Sequence, residues 1–125
     1  MLDRGLAGME DALFRTMLFD FYGELLTEKQ KEYFDLHYNE DLSLAEIAQS
    51  EGISRQGVWD IIRRAEESMR RYEERTGLVS RFAKERETLD RAEELTASLL
   101  LLTEGEAKKI TVELAKQLEE LRHGI

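Results

Sequence analysis

The 125 residues contain no cysteine and no proline. Without cysteine there is no disulfide framework, no thiolate zinc site and no cysteine nucleophile. Without proline, with only 8 glycines and with abundant Leu, Glu, Arg and Lys, the composition predicts a chain that is nearly all helix. Long apolar runs are missing as well. The longest is residues 99–102, against the roughly 20 residues a bilayer-spanning helix needs, so no membrane insertion is expected. No basic segment leads into an apolar stretch near the start, which argues against a secretory leader and for a cytoplasmic protein. The two histidines, His37 and His123, lie far apart. No H-E-x-x-H, P-loop, dinucleotide glycine pattern or G-x-S-x-G occurs. Acid pairs such as Glu66/Glu67 and Glu93/Glu94 point apart on a helix and read as solvated surface. The expectation is therefore no metal, no cofactor and no enzymatic activity, with His37 structural among the aromatics around it.

Acid is in excess, 27 Asp and Glu against 18 Lys and Arg, for a net charge of −9. A nonspecific nucleic-acid coat needs a basic face and is excluded. A local reading surface is not. The acid is spread along the chain, and within residues 54–64 Arg55, Arg63 and Arg64 are opposed only by Asp60.

Residues 1–8 carry two glycines and no period, and read as a tail. A first helix is predicted from about Met9 to Tyr22, with Phe14, Met17, Leu18, Phe21, Tyr22 and Leu25 on one buried face. Thr27 with Gln30 forms a capping box that opens a second helix, whose apolar side is Tyr33, Phe34, Leu36 and Tyr38. Ser43 with Glu46 opens a third, short helix with Leu44, Ile47 and Ala48 inward. Gly52 follows as a left-handed turn residue. Ser54 then caps a long helix to about Arg75, ended by Gly77, with Val58, Ile61, Ala65, Met69 and Tyr72 inward. Residues 78–102 form another long helix with Phe82, Leu89, Ala92, Leu95, Leu99 and Leu102 on a broad stripe. Thr103 with Glu106 is read as a third capping box, before a last helix with Ala107, Ile110, Leu114, Leu118 and Leu121. That seam has coiled-coil spacing, and the stripe on 78–102 is wider than one partner helix covers, which favours a homodimer.

The most informative segment is SLAEIAQSEGISRQGVWDIIRR, residues 43–64. It has the order of a helix-turn-helix: short helix, tight turn, second helix. Ala48 stands where two helices cross closely, Gly52 permits the turn, and Ile47, Ile53 and Val58 close a small core beneath it. A helix of this kind enters the major groove by its N-terminal turns. The outward positions, and so the candidate DNA-binding residues, are Ser54, Arg55, Gln56, Trp59, Asp60, Arg63 and Arg64. Arg55 suits guanine or a phosphate and Gln56 suits adenine, each by bidentate hydrogen bonding. Ser54 can hold a phosphate as well as cap the helix, and Lys29 and Lys31 could reach backbone. The bland alternative pairs Asp60 with Arg64 and Arg63 with Glu67 along the helix surface. Gly57, inside the helix, costs about 1 kcal/mol relative to Ala. Trp59 and Ile62 are placed on the outward or lateral side, where packing against the C-terminal helices is the reading favoured and a partner-binding spot the alternative, since Trp is enriched among interface anchors.

In the pattern T-x-x-Q, S-L-x-E-I-A, S-R-Q-x-V, these residues resemble region four of bacterial sigma factors. Residues 17–74 more closely resemble the YlxM family, through the FDFY, KQ, SL-x-EIA and SRQ segments. These are small bacterial helix-turn-helix proteins whose genes lie beside those of the signal recognition particle. The resemblance implies an all-α fold, a homodimer and a regulatory role tied to co-translational targeting, with Ser54, Arg55 and Gln56 as reading positions. The chain departs from the family at Gly57, where alanine is expected, and at Ile61, where a polar residue is expected. Together these features predict a sigma-region-four-like helix-turn-helix bundle over residues 1–76 and a long C-terminal amphipathic hairpin over 77–125 that dimerises. The function expected is a DNA-binding regulator linked to the signal recognition particle pathway. The alternative is an adaptor that binds the particle's protein or RNA without binding DNA.

Overall fold

A computed structural model describes residues 11–124. Its elements are α1 (Asp11–Tyr22), a 3₁₀ turn (Gly23–Leu25), α2 (Glu28–Tyr38), α3 (Leu44–Glu51), α4 (Arg55–Thr76), α5 (Leu78–Leu102) and α6 (Gly105–Gly124). No strand occurs among the described residues, and the fold is all-α as the composition predicts. The tail at residues 1–8 and a helix start near Met9 lie outside the described residues.

The punctuation follows the sequence closely at three of four predicted caps. Thr27 accepts from the Gln30 amide and Gln30 reaches back to the Thr27 amide. Ser43 and Glu46 do the same. Both boxes satisfy first-turn amides that a helix leaves unpaired. Ser54 caps α4 by accepting from the Gly57 amide at 2.9 Å. Gly52 and Gly77 take left-handed conformations, with φ of 71° and 63°, and end α3 and α4. The fourth cap does not form. The Thr103 hydroxyl instead donates back to the Leu99 carbonyl at 2.6 Å, and α6 begins at Gly105, itself at φ 63°. With its hydroxyl turned back along α5, Thr103 does not present its oxygen to the first amides of α6.

The chain divides into two compact units, one ending at Ser80 and the second beginning at Arg81. The core of the first joins Phe14, Leu18 and Tyr22 of α1, Tyr33 and Phe34 of α2, Ile47 and Ala48 of α3, and Val58, Ile62, Ala65 and Met69 of α4. Helix α4 is its axis, because its buried positions recur at four, three and four residues and so form one continuous seam. That seam corrects the predicted one. Ile62 is fully buried and not lateral, while Ile61 and Tyr72 are only partly buried. On α1, Phe21 and Leu25 are exposed, because the helix stops at Tyr22 and the 3₁₀ turn carries Leu25 off the seam. His37 is structural as expected: its Nδ1 donates to the Leu42 carbonyl at 2.8 Å.

In the second unit α5 and α6 run antiparallel, tied by Arg122 of α6 to Asp90 and Glu93 of α5. The predicted stripes are largely in solvent. Leu89 is their one buried apolar side chain, beside buried Thr96 and Thr111, whereas Leu95, Leu99, Leu102, Ile110, Leu114 and Leu121 are exposed.

Candidate nucleic-acid interface

Helices α3 and α4 meet across the three-residue turn Gly52, Ile53 and Ser54. Both the Gly52 and the Ile53 amides return to the Ala48 carbonyl, at 2.9 and 3.2 Å, which closes α3 tightly. Ala48, Ile47, Val58 and Ile62 pack beneath the turn, and Ile53, expected to join them, is 39% exposed at its edge. Local hydrogen bonding and burial thus fix the angle at which α4 leaves the turn. Its first turns face outward because the buried seam starts only at Val58.

The predicted site residues fall into two rows on that outward side, four residues apart in each row. One row is Arg55, Trp59 and Arg63; the other is Gln56, Asp60 and Arg64. Ser54, Arg55, Gln56 and Arg64 are exposed, and Asp60 is half-buried. The first turn of α4 holds no acid, so its positive dipole end is uncompensated and Arg55 adds to it. Among the described residues Arg55 and Arg64 have no ion-pair partner. Arg63 differs: it pairs with Glu67 one turn on and lies 3.8 Å from Asp60. Asp60 also accepts from the Gln56 amide group at 3.0 Å. The predicted Arg63–Glu67 pair forms and the Asp60–Arg64 pair does not. Lys31 is held by Glu24 at 2.6 Å.

Trp59 is 36% exposed. It lines a groove of about 280 Å³ with Arg15 of α1, Tyr38 of α2 and Ile62, Arg63, Glu66, Glu67 and Arg70 of α4. The groove is built from helices of the first unit. The groove wall is an ionic triad that sequence reasoning missed. Glu66 accepts from Arg15 at 2.8 Å and from Arg70 at 3.1 Å, one guanidinium on each carboxylate oxygen. Arg15 lies over the Tyr38 ring and Arg70 over the Phe14 ring. Burial works to raise the Glu66 pKa, and the hydrogen bonds from Arg15 and Arg70 overcome it, so the group sits below the ordinary carboxylate range. Arg15 and Arg70 are committed to structure. Of the predicted α4 arginines, Arg55 and Arg64 remain without an ion-pair partner among the described residues, and Lys29 on α2 is exposed.

A short helix, a three-residue turn and a second helix with its N-terminal edge in water form a complete helix-turn-helix. A family model described as "Putative helix-turn-helix protein, YlxM / p13 like" matches residues 9–118. The chain belongs to this family, UPF0122. A UPF0122 protein of Thermoanaerobacter sp. (strain X514) is 42% identical over 116 residues, spanning 90% of this chain and 97% of that protein. One from Listeria innocua is 41% identical over 104 residues, 82% of this chain and 92% of the relative. One from Bacillus pumilus is 46% identical over 90 residues, 72% and 82% of the two chains. The UPF0122 match reaches past the helix-turn-helix and covers most of α6. No helix among the described residues is long and apolar enough to cross a membrane.

Proposed function

We propose that this UPF0122 protein is a cytoplasmic regulator that binds duplex DNA as a homodimer, placing the first turns of α4 in the major groove. The observation that carries this reading is the exposed, acid-free N-terminal turn of α4, with Ser54, Arg55 and Gln56 in solvent on a rigidly packed helix. In this arrangement Arg55 and Gln56 read base edges by paired hydrogen bonds. Arg64 and Ser54 contact phosphate, and Trp59, Asp60 and Arg63 set the flank of the reading surface. The YlxM resemblance ties the regulation to the signal recognition particle pathway. Selection from a random duplex pool, followed by anisotropy titrations across salt, tests it. An enriched sequence bound with steeply salt-dependent affinity is the expected result. Uniform binding of all duplexes, or none, refutes it.

One observation favours the adaptor reading. Asp60 and Glu67 neutralise Arg63, and the chain as a whole carries −9. An acidic flank suits a basic protein partner better than phosphate. Capture of the signal recognition particle's protein or RNA by the full chain, unaffected by Arg55→Ala, would select that role over DNA reading.

A further inference from the structure

The second unit has no core of its own. Among its described apolar side chains only Leu89 is buried. A helical unit of this size needs another surface to cover it. Within the hairpin the inward seam runs through Leu89, Ala92 and Thr96 on α5 and through Thr111 and Leu118 on α6. Even there an open cleft of about 520 Å³ remains between Leu89, Ala92, Leu118 and Leu121. Beside the seam lie two exposed rows, Leu95, Leu99 and Leu102 on α5 and Ile110, Leu114 and Leu121 on α6. On both helices these positions fall to the same rotational side of the seam. In an antiparallel pair that places both rows on one open side of the hairpin.

We propose that this two-helix face is the dimer interface, and that a second copy of the same hairpin covers it to complete a four-helix bundle. The proposal rests on the homodimer reading above and names its surface. The six side chains leave roughly 600 Å² in water, the upper limit of the largest patch on a typical monomer. With the cleft, the face approaches the roughly 800 Å² that each partner of a standard dimer buries. A two-fold axis along the helices sets α6 of one copy against α5 of the other, so each exposed row meets the other row across the interface.

Light scattering on the full chain provides the test, with helical circular dichroism recorded in parallel. The wild-type chain is expected at twice its 14.6 kDa mass. Leu102→Glu and Ile110→Glu, at positions 81% and 69% exposed, are expected to retain their helical signal. Each is expected to weaken self-association at least about tenfold, since a buried unpaired carboxylate is costly. Leu101→Glu, 89% exposed and on the opposite side of α5, is expected to leave the dimer intact. A wild-type monomer at high concentration overturns the proposal. Dimers that survive Leu102→Glu and Ile110→Glu also overturn it, while leaving a homodimer on some other face. Equal disruption by Leu101→Glu removes the assignment to this side. DNA selection on the wild-type chain and on Leu101→Glu reads the α4 proposal separately, since both are expected to keep the dimer and position 101 lies outside the first unit.

Discussion

Tyr22 of α1 donates its phenolic hydrogen to the Glu73 carboxylate of α4 across 2.6 Å, although the two residues lie 51 apart in sequence. Glu73 is 3% exposed. Its carboxylate also accepts the Val79 amide at 2.9 Å and the Ser80 amide at 3.1 Å. A carboxylate in the last turn of α4 opposes that helix's dipole, but the first amides of α5 and the phenol compensate it. One side chain therefore locks α1 onto α4 and caps α5. Glu73→Ala leaves the Val79 and Ser80 amides unmet and Tyr22 with only its bond to Thr76, and should destabilise the first unit by about 3 kcal/mol. Glu73→Gln keeps one acceptor and should cost about half of that. Urea denaturation followed by circular dichroism measures both. Equal midpoints for Glu73→Ala and wild type would show that water replaces the carboxylate without loss.

Alkaline pH should unfold the first unit. Burial raises the pKa of Tyr22, and its hydrogen bond to Glu73 raises it further against an opposing bond to Thr76. Burial also raises Tyr33, and raises Tyr38 against an opposing Arg15. A raised folded-state pKa means that the native state holds its proton more tightly. The associated stability is fully present below pH 10 and is lost as pH rises through the folded values. The urea midpoint should fall progressively from about pH 10 upward. Phenolate absorbance should lag behind that of the urea-unfolded chain. Coincident titration curves for the two states would contradict this.

The helix-turn-helix was legible because its signals are local. Caps at Thr27, Ser43 and Ser54 and the left-handed Gly52 and Gly77 depend on residues within one turn of each other. Tertiary choices were less legible. Ile61 and Ile62 are both apolar and adjacent, and only the packing of α1, α2 and α3 decides that Ile62 is buried. The Arg15–Glu66–Arg70 triad joins residues 51 apart, and nothing near Arg15 announces it. Glu73 did carry a signal, since an acid four residues before a helix-ending glycine stands where the dipole disfavours it. Thr103 misled because the same hydroxyl can bond forward as a cap or backward to Leu99.

Substitutions on α4 should separate reading from attraction. If Arg55 holds a guanine by two bonds, Arg55→Ala should cost about 1–3 kcal/mol on the selected duplex and relax preference at one base pair. Gln56→Ala should act similarly at an adenine. Arg64→Ala should weaken all duplexes alike and lower the salt slope by about 1. Arg63→Ala should do less than Arg64→Ala, since Glu67 and Asp60 already occupy it. Anisotropy titrations at several salt concentrations give all four values, and a larger effect at Arg63 than at Arg55 would refute the assignment.

Gly57 and Ser54 should be energetically coupled. A methyl group at Gly57 would sit 3.2 Å from the Ser54 hydroxyl oxygen that caps the helix. Gly57→Ala gains about 1 kcal/mol of helix propensity. Displacing the cap loses about the same. The single substitution should be close to neutral. In a Ser54→Ala background there is no cap to disturb, and Gly57→Ala should stabilise by about 1 kcal/mol. A double-mutant cycle in urea measures the difference, and identical effects in both backgrounds would remove the coupling.

The first unit should need the opening turns of α5. Val79 is fully buried in its core, and the Val79 and Ser80 amides cap Glu73. A chain cut after Thr76 loses both contributions. Burial of one valine is worth about 1.5–3 kcal/mol. An unmet carboxylate adds about 1–3 kcal/mol. A chain ending at Lys84 keeps both and should unfold at a urea midpoint close to that of the first unit in the full protein. The chain ending at Thr76 should be less stable by about 3 kcal/mol. Introducing Glu73→Ala should cost the shorter fragment less than the longer one, because the Val79 and Ser80 amides are already gone. Matching midpoints for the two fragments would mean that Glu73 and Val79 contribute nothing across the α4–α5 junction.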